Sequence, residues 1–219
     1  MCGMTSTYPS FCLFCQYDFV FSQKILIMKP SEVIDLIREG NEGFLQGKNT
    51  EFFKTHSKKQ CPMITMLTCS DARVQSSVIL PEPVNNVFCI ENIGNQVSNA
   101  EGSLDYGILH LETPVLLILG HSDCGAIKAY TAGYDQEPAS IQRELNNLQP
   151  AFVNIHDEID LLGRIRKNID YQVRVTLSKY SEKVRQEKLA ILGAYYDFAN
   201  DMGAGYGKLH ILSINGKTV

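Results

Sequence analysis

Met63-Ile64-Thr65-Met66-Leu67-Thr68-Cys69-Ser70-Asp71-Ala72-Arg73 and Val115-Leu116-Leu117-Ile118-Leu119-Gly120-His121-Ser122-Asp123-Cys124-Gly125 share one plan: a short apolar run that ends in residues able to do chemistry. Continuous apolar runs of this length suit strands buried on both faces of a parallel sheet. In such sheets ligands gather outside the carboxyl ends of the strands, which is where both reactive motifs fall. The expected fold class is therefore α/β, a central mostly parallel sheet flanked by helices. Outward from the two runs, Ser140 to Leu148, Ala151 to Lys167 and Val173 to Tyr180 carry helical apolar spacing, broken at Pro150. Leu189 to Tyr196 is open between helix, by propensity, and strand, by its apolar run and internal Gly193. Gly203-Ala204-Gly205-Tyr206-Gly207 leads into the strand-like Lys208 to Leu212. A dinucleotide-binding fingerprint would follow a strand and open a helix, so this glycine run reads as the turn of a hairpin.

Cys69, His121 and Cys124 are three zinc-type ligands. A structural zinc site closes its tetrahedron with four protein ligands, whereas a catalytic one uses three and leaves a position for water or substrate. Asp71, two residues beyond Cys69, is close enough to compete for that fourth position. Asp71 and Arg73 would share a face on an extended segment, where a guanidinium can hold a carboxylate in a two-pronged pair and keep it ionised. Taken singly, each cysteine or histidine is more ordinarily a buried packing residue, and an exposed Asp/Arg pair contributes little to stability. The joint placement of both motifs at strand ends is what favours a catalytic zinc centre with one ion per chain.

Composition narrows the field. The chain has 219 residues, 44% of them hydrophobic, enough for one sizeable core, and no apolar run long enough to span a membrane. A net charge of -4 without a basic cluster argues against nucleic acid. The first 27 residues hold three of the seven cysteines but only Asp18 and Lys24 as charges, and they lack the basic start and unbroken apolar core of a secretory signal. They are read as a dispensable extension, with the catalytic domain spanning 28–219 and Ser31 placed to cap its first helix. Cys12-Leu13-Phe14-Cys15 has redox or zinc-pair spacing but no second pair to complete it. Cys61 and Cys89 flank apolar runs and read as core or near-site thiols. An odd number of cysteines together with thiolate ligands points to a reducing compartment, the cytoplasm.

From Ser31 to the C-terminus the chain resembles the β-class carbonic anhydrases, zinc enzymes that interconvert carbon dioxide and bicarbonate. Besides the two zinc motifs, Ile37 to Phe44 looks like that family's N-terminal helix, Asn92-Ile93-Gly94-Asn95 like its loop after the second strand, and Leu104 to Leu111 like the helix before the histidine strand. Gln60, Phe88 and Tyr106 match substrate-pocket residues of the plant-like branch, and Gly125 falls with the substrate-binding residues. The resemblance implies that Leu189 to Tyr196 is a strand, with Leu209 to Ile214 pairing back as an antiparallel edge strand. It implies a homodimer or dimer of dimers, in which Phe88 and Tyr106 serve a partner's zinc and the N-terminal helices wrap the partner. It also implies that Asp71 can alternate between Arg73 and the metal. Glu91 stands where most relatives carry arginine, and the chain has no tryptophan. Roles that depend on that arginine, including bicarbonate regulation, are therefore not carried over.

The expected reaction follows. Zinc lowers the pKa of a bound water to about 7, giving a hydroxide that attacks carbon dioxide. Phe88 and Tyr106 would keep the pocket dry, and the Gln60 amide would donate to the developing negative charge. Two other readings use the same ligands: a carbon disulfide or carbonyl sulfide hydrolase, against which Gln60 speaks, and a non-catalytic zinc module, which would have no need of Asp71, Arg73 and Gln60.

Overall fold

The computed structural model describes residues 28–153 and 159–219, and the proposed extension over residues 1–27, with its Cys12/Cys15 pair, lies outside them. The chain forms two compact units, divided after Lys58.

In the first unit, α1 (Pro30–Gln46) and α2 (Thr50–His56) follow one another. Ser31 is not the cap of α1: the boundary lies at Lys29, whose N–H donates to Glu32 Oε2 at 2.6 Å, and Pro30 takes the first helical position, where no N–H is needed. Asn49 caps α2 by accepting the Phe52 N–H at 2.9 Å. Phe44, Phe52 and Phe53 meet edge to face with centroids 5.2 to 6.4 Å apart. No residue of α1 is buried, and Val33, Ile34 and Ile37 present an apolar stripe.

The second unit is built on a six-stranded sheet. Its strands are β1 (Ile64–Cys69), β2 (Val87–Asn92), β3 (Val115–His121), β4 (Ala190–Asp197), β5 (Lys208–Ile214) and β6 (Lys217–Thr218), in the order β2-β1-β3-β4-β5-β6. The first four are parallel, while β5 runs antiparallel to β4 and carries the two-residue β6 on its outer side. Both apolar runs are buried on both faces, as expected of central parallel strands. Gly203, Gly205 and Gly207 take positive φ in the β4–β5 connection, a backbone conformation that glycine adopts without cost.

The helices of this unit are α3 (Glu101–Asp105), which continues into a π-helical turn at Tyr106–His110, α4 (Gly125–Ala132), α5 (Ala139–Asn146), α6 (Leu161–Lys179) and α7 (Ser181–Arg185). The helical stretches expected at 151–167 and 173–180 take a different form: a 3-10 turn over Gln149–Phe152 includes Pro150, and α6 is one continuous helix. Asn168, Gln172 and Thr176 interrupt its apolar period yet are buried. Their polar groups find partners, Asn168 Nδ2 on the Gly94 carbonyl at 2.9 Å and Gln172 Oε1 on the Val97 N–H at 2.9 Å, which offsets the cost of burying them. Ile165, Ile169 and Val173 of α6 pack in one core with Leu116 and Ile118 of β3, while Met66, Leu117, Leu119 and Ala194 form a second core. A Cβ on Gly120 would lie 2.6 Å from Ile169 Cδ1, so glycine lets α6 lie close on the strand that ends in His121.

Candidate metal centre

Cys69 and His121 are the last residues of adjacent parallel strands, and Cys124 immediately precedes α4. The two strand ends and one helix start thus bring two Sγ atoms and one imidazole nitrogen within 4.8 Å of one another. All three residues are buried. His121 Nδ1 lies 2.8 Å from the Ser122 carbonyl oxygen, which can only accept, so Nδ1 carries a proton and in the neutral ring the lone pair is on Nε2. That Nε2 is buried with no hydrogen-bond partner among the described residues.

An orphaned buried lone pair beside two buried thiols is costly to the protein alone, and a cation removes the cost. The donor set of two sulfurs and one imidazole suits zinc, and three protein ligands leave a position open. The two thiols also prepare for it. The Cys124 thiol is lowered by its hydrogen bond with Cys69, and further by the Ile127 and Ala126 N–H groups at the start of α4, which outweigh burial. Cys69 is pushed up by its interaction with Cys124 and by burial, although the Gly94 N–H donates to its sulfur at 3.3 Å. A dication bound there displaces the thiol protons.

Asp71 and Arg73 form the expected two-pronged pair, but a tight turn makes it rather than an extended segment. The Asp71 N–H donates to the Cys69 carbonyl at 2.8 Å and the Val74 N–H to the Asp71 carbonyl at 2.9 Å. Asp71 Oδ1 accepts both the Arg73 backbone N–H (3.0 Å) and Nε–H (2.9 Å), and Oδ2 accepts from Nη2 at 2.8 Å. The guanidinium bonds, against a smaller opposing effect of burial, hold the Asp71 carboxyl at a pKa of about 2. Its Oδ2 lies 3.8 Å from His121 Nε2, so the carboxylate borders the ligand cluster while turned to Arg73.

Three neighbours were not singled out from sequence. Asp123 Oδ2 and its carbonyl oxygen each accept from Arg73 at 3.3 Å, and Lys128 holds Asp123 Oδ1 at 2.6 Å. Phe198 stacks on the His121 ring at 6.0 Å and lies 4.6 Å from the Arg73 guanidinium carbon. Asp123 was visible inside the second motif, whereas Phe198 is distant in sequence and gave no signal.

The remaining expected site residues lie elsewhere. Gln60 and Tyr106 line a cleft of about 480 Å³ with Lys59, Cys61, Pro62, His110, Leu111 and Glu112, and none of Cys69, His121 and Cys124 lines it. Phe88 reaches Tyr106 with ring centroids 5.7 Å apart. Tyr106 is 42% exposed, which its apolar helical neighbours did not suggest. Gly125, also exposed, opens α4 beside Cys124. Cys61 and Cys89 are exposed rather than core thiols. On β2 the alternation of side chains turns Cys89 outward.

Comparison with known proteins bears on this geometry. A family model described as carbonic anhydrase matches residues 64–204. "Beta carbonic anhydrase 3" of Arabidopsis thaliana is 28% identical over 195 residues, covering 77% of this chain and 76% of that protein. "Carbonic anhydrase 2" of Mycobacterium tuberculosis is 25% identical over 195 residues, covering 81% and 92%. Among solved structures, a tetrameric β-carbonic anhydrase from Sordaria macrospora superposes with a TM-score of 0.69 at 22% identity, covering 84% of this chain and 98% of that one. The Coccomyxa β-carbonic anhydrase in complex with acetazolamide gives 0.68 at 19%, covering 86% and 88%. The matched span runs from the strand that ends in Cys69 to the turn beyond β4, well over half of the chain, and on that ground the chain belongs to the β-carbonic anhydrase family.

Proposed function

We propose that this chain is a zinc-dependent carbonic anhydrase that converts carbon dioxide and water reversibly to bicarbonate and a proton. The observation that carries the reading is the unpartnered His121 Nε2 between two buried thiols, with the Asp71/Arg73 pair on its border. Zinc bound there supplies Lewis acidity, lowering the pKa of a coordinated water to about 7.

The chain's own residues do the rest. Arg73 keeps Asp71 ionised throughout the working pH range, so the carboxylate never donates and always accepts. Its edge toward His121 is placed to take a hydrogen bond from the attacking O–H and to hold that group's orientation toward carbon. Asp123 and Phe198 contact the same guanidinium and hold it beside Asp71. The Gln60 amide is assigned to donate to the charge that develops on the substrate oxygens, and Phe88 and Tyr106 to exclude water around a small apolar substrate. Because Gln60 and Tyr106 share a cleft that none of the metal-site residues lines, this part of the reading requires a second copy of the chain to bring the two halves together. The fold-level likeness to a tetrameric relative supports self-association. Thiol ligands must stay reduced, so the same reading assigns the chain to the cytoplasm.

Stopped-flow carbon dioxide hydration on zinc-quantified protein, from about pH 6.5 to 9, bracketing the bound-water pKa, tests the proposal with Cys124→Ser as control. Turnover lost in the control supports it. Full zinc occupancy without hydration at any pH contradicts it.

A further inference from the structure

Behind the ligand cluster lies a buried polar network that no reacting group touches, and its hydrogen bonds converge on Ser122. His121 Nδ1 donates to the Ser122 carbonyl at 2.8 Å, so the aim of Nε2 depends on where that carbonyl sits. Ser122 is fully buried and held by both backbone and side chain. Its N–H donates to the Tyr196 carbonyl at 3.0 Å. Its hydroxyl donates to Asp197 Oδ1 at 3.1 Å, accepts from the Ala199 N–H at 3.2 Å and lies 3.1 Å from the Tyr195 hydroxyl oxygen.

The partners are themselves fixed. Asp197, fully buried, accepts from the Asp201 and Met202 N–H groups at 2.8 and 2.9 Å and lies 3.8 Å from His210 Nε2, while Tyr195 also bonds Asp201. Tyr196 stands opposite His121 in the β3/β4 register, and Phe198 stacks on the His121 ring. One stretch of chain thus reaches the imidazole's face, the acceptor of its N–H, and the anchors of that acceptor.

We propose that Ser122, anchored by Asp197 and Tyr195, is a positioning residue for His121: it fixes the tautomer and the direction of Nε2, and so sets how tightly the centre holds zinc. The proposal rests on the metal reading above.

It is tested on the full-length, zinc-loaded chain by competition with a chromophoric chelator, alongside thermal melting of the stripped protein. Ser122→Ala keeps the carbonyl that His121 bonds but removes the hydroxyl that fastens it, and is expected to weaken zinc affinity about 10-fold, the lower end for outer-shell changes. Ser122→Thr keeps the hydroxyl and is expected to restore it. Tyr180→Phe removes the bond from the Tyr180 hydroxyl to Asp105 (2.8 Å), and serves as a control that lowers stability while keeping wild-type affinity. Wild-type affinity in Ser122→Ala would overturn the proposal and leave Ser122 a fastening of the fold. If Ser122→Ala does not fold, Tyr195→Phe carries the test by removing the hydroxyl beside Ser122 Oγ: weaker zinc supports the proposal and unchanged zinc overturns it. A wild-type chain that takes up no zinc would instead overturn the metal reading, before any variant is compared.

Discussion

His121 shows how much chemistry one residue's surroundings can decide. A carbonyl on Nδ1 and nothing on Nε2 leave a lone pair aimed at two sulfurs, so Cys124→Ser should drop zinc content from one per chain to well below one, read by elemental analysis. Asp71→Asn keeps the shape but removes the anionic acceptor. It should lower kcat/KM by about 10²- to 10⁴-fold, the range for a positioned proton acceptor, with zinc content unchanged; an unaltered kcat/KM would contradict the assigned role. Asp197 yields a pH prediction. Burial pushes its carboxyl up, but the Met202 and Asp201 N–H groups and the Ser122 hydroxyl outweigh this and hold it below its ordinary value. A carboxyl lowered by folding contributes stability that is present above its unfolded pKa, about 3.9, and is lost as pH falls through the folded value. Between about pH 5 and 3 the stripped wild type should therefore lose more melting temperature than Asp197→Asn, and parallel losses would argue against it. The Cys69/His121/Cys124 cluster and the acid/arginine pair were legible because each lies in a short motif at a strand end. Phe198 and the Asp197 anchor were not, because their proximity to His121 exists only once β4 has paired with β3.

Strands were easier to read than helices. The central strands announce themselves by unbroken apolar runs, since both faces are covered. Leu189 to Tyr196 stayed open between helix and strand on period alone, and pairing with β3 and β5 decides it. The long α6 was hidden for the opposite reason: its buried face includes Asn168, Gln172 and Thr176, whose partners come from distant segments or the helix itself, so a search for apolar period divides it. The contact between α6 and β3 makes its own prediction. Gly120→Ala places a methyl 2.6 Å from Ile169 Cδ1 and should destabilise the fold by about 1–3 kcal/mol, the usual cost of overpacking. Ile169→Val in the same chain should recover part of that loss in denaturant melts, and purely additive losses would contradict the close contact.

For the whole molecule, two facts point to more than one copy. The first unit leaves Val33, Ile34 and Ile37 at 42%, 48% and 67% exposure, and the second separates the Gln60/Tyr106 cleft from the ligand cluster. Sedimentation should therefore find a dimer or larger species, and specific activity should fall on dilution into monomer; a fully active monomer would remove the assigned roles of Gln60 and Tyr106. Neither fact was legible beforehand except through the family resemblance. The most direct measurement is a zinc titration of the stripped chain, with carbon dioxide hydration followed at each addition. Activity should rise in proportion to added zinc and stop rising at one ion per chain. Stoichiometric zinc uptake with no hydration at any point would contradict the assignment.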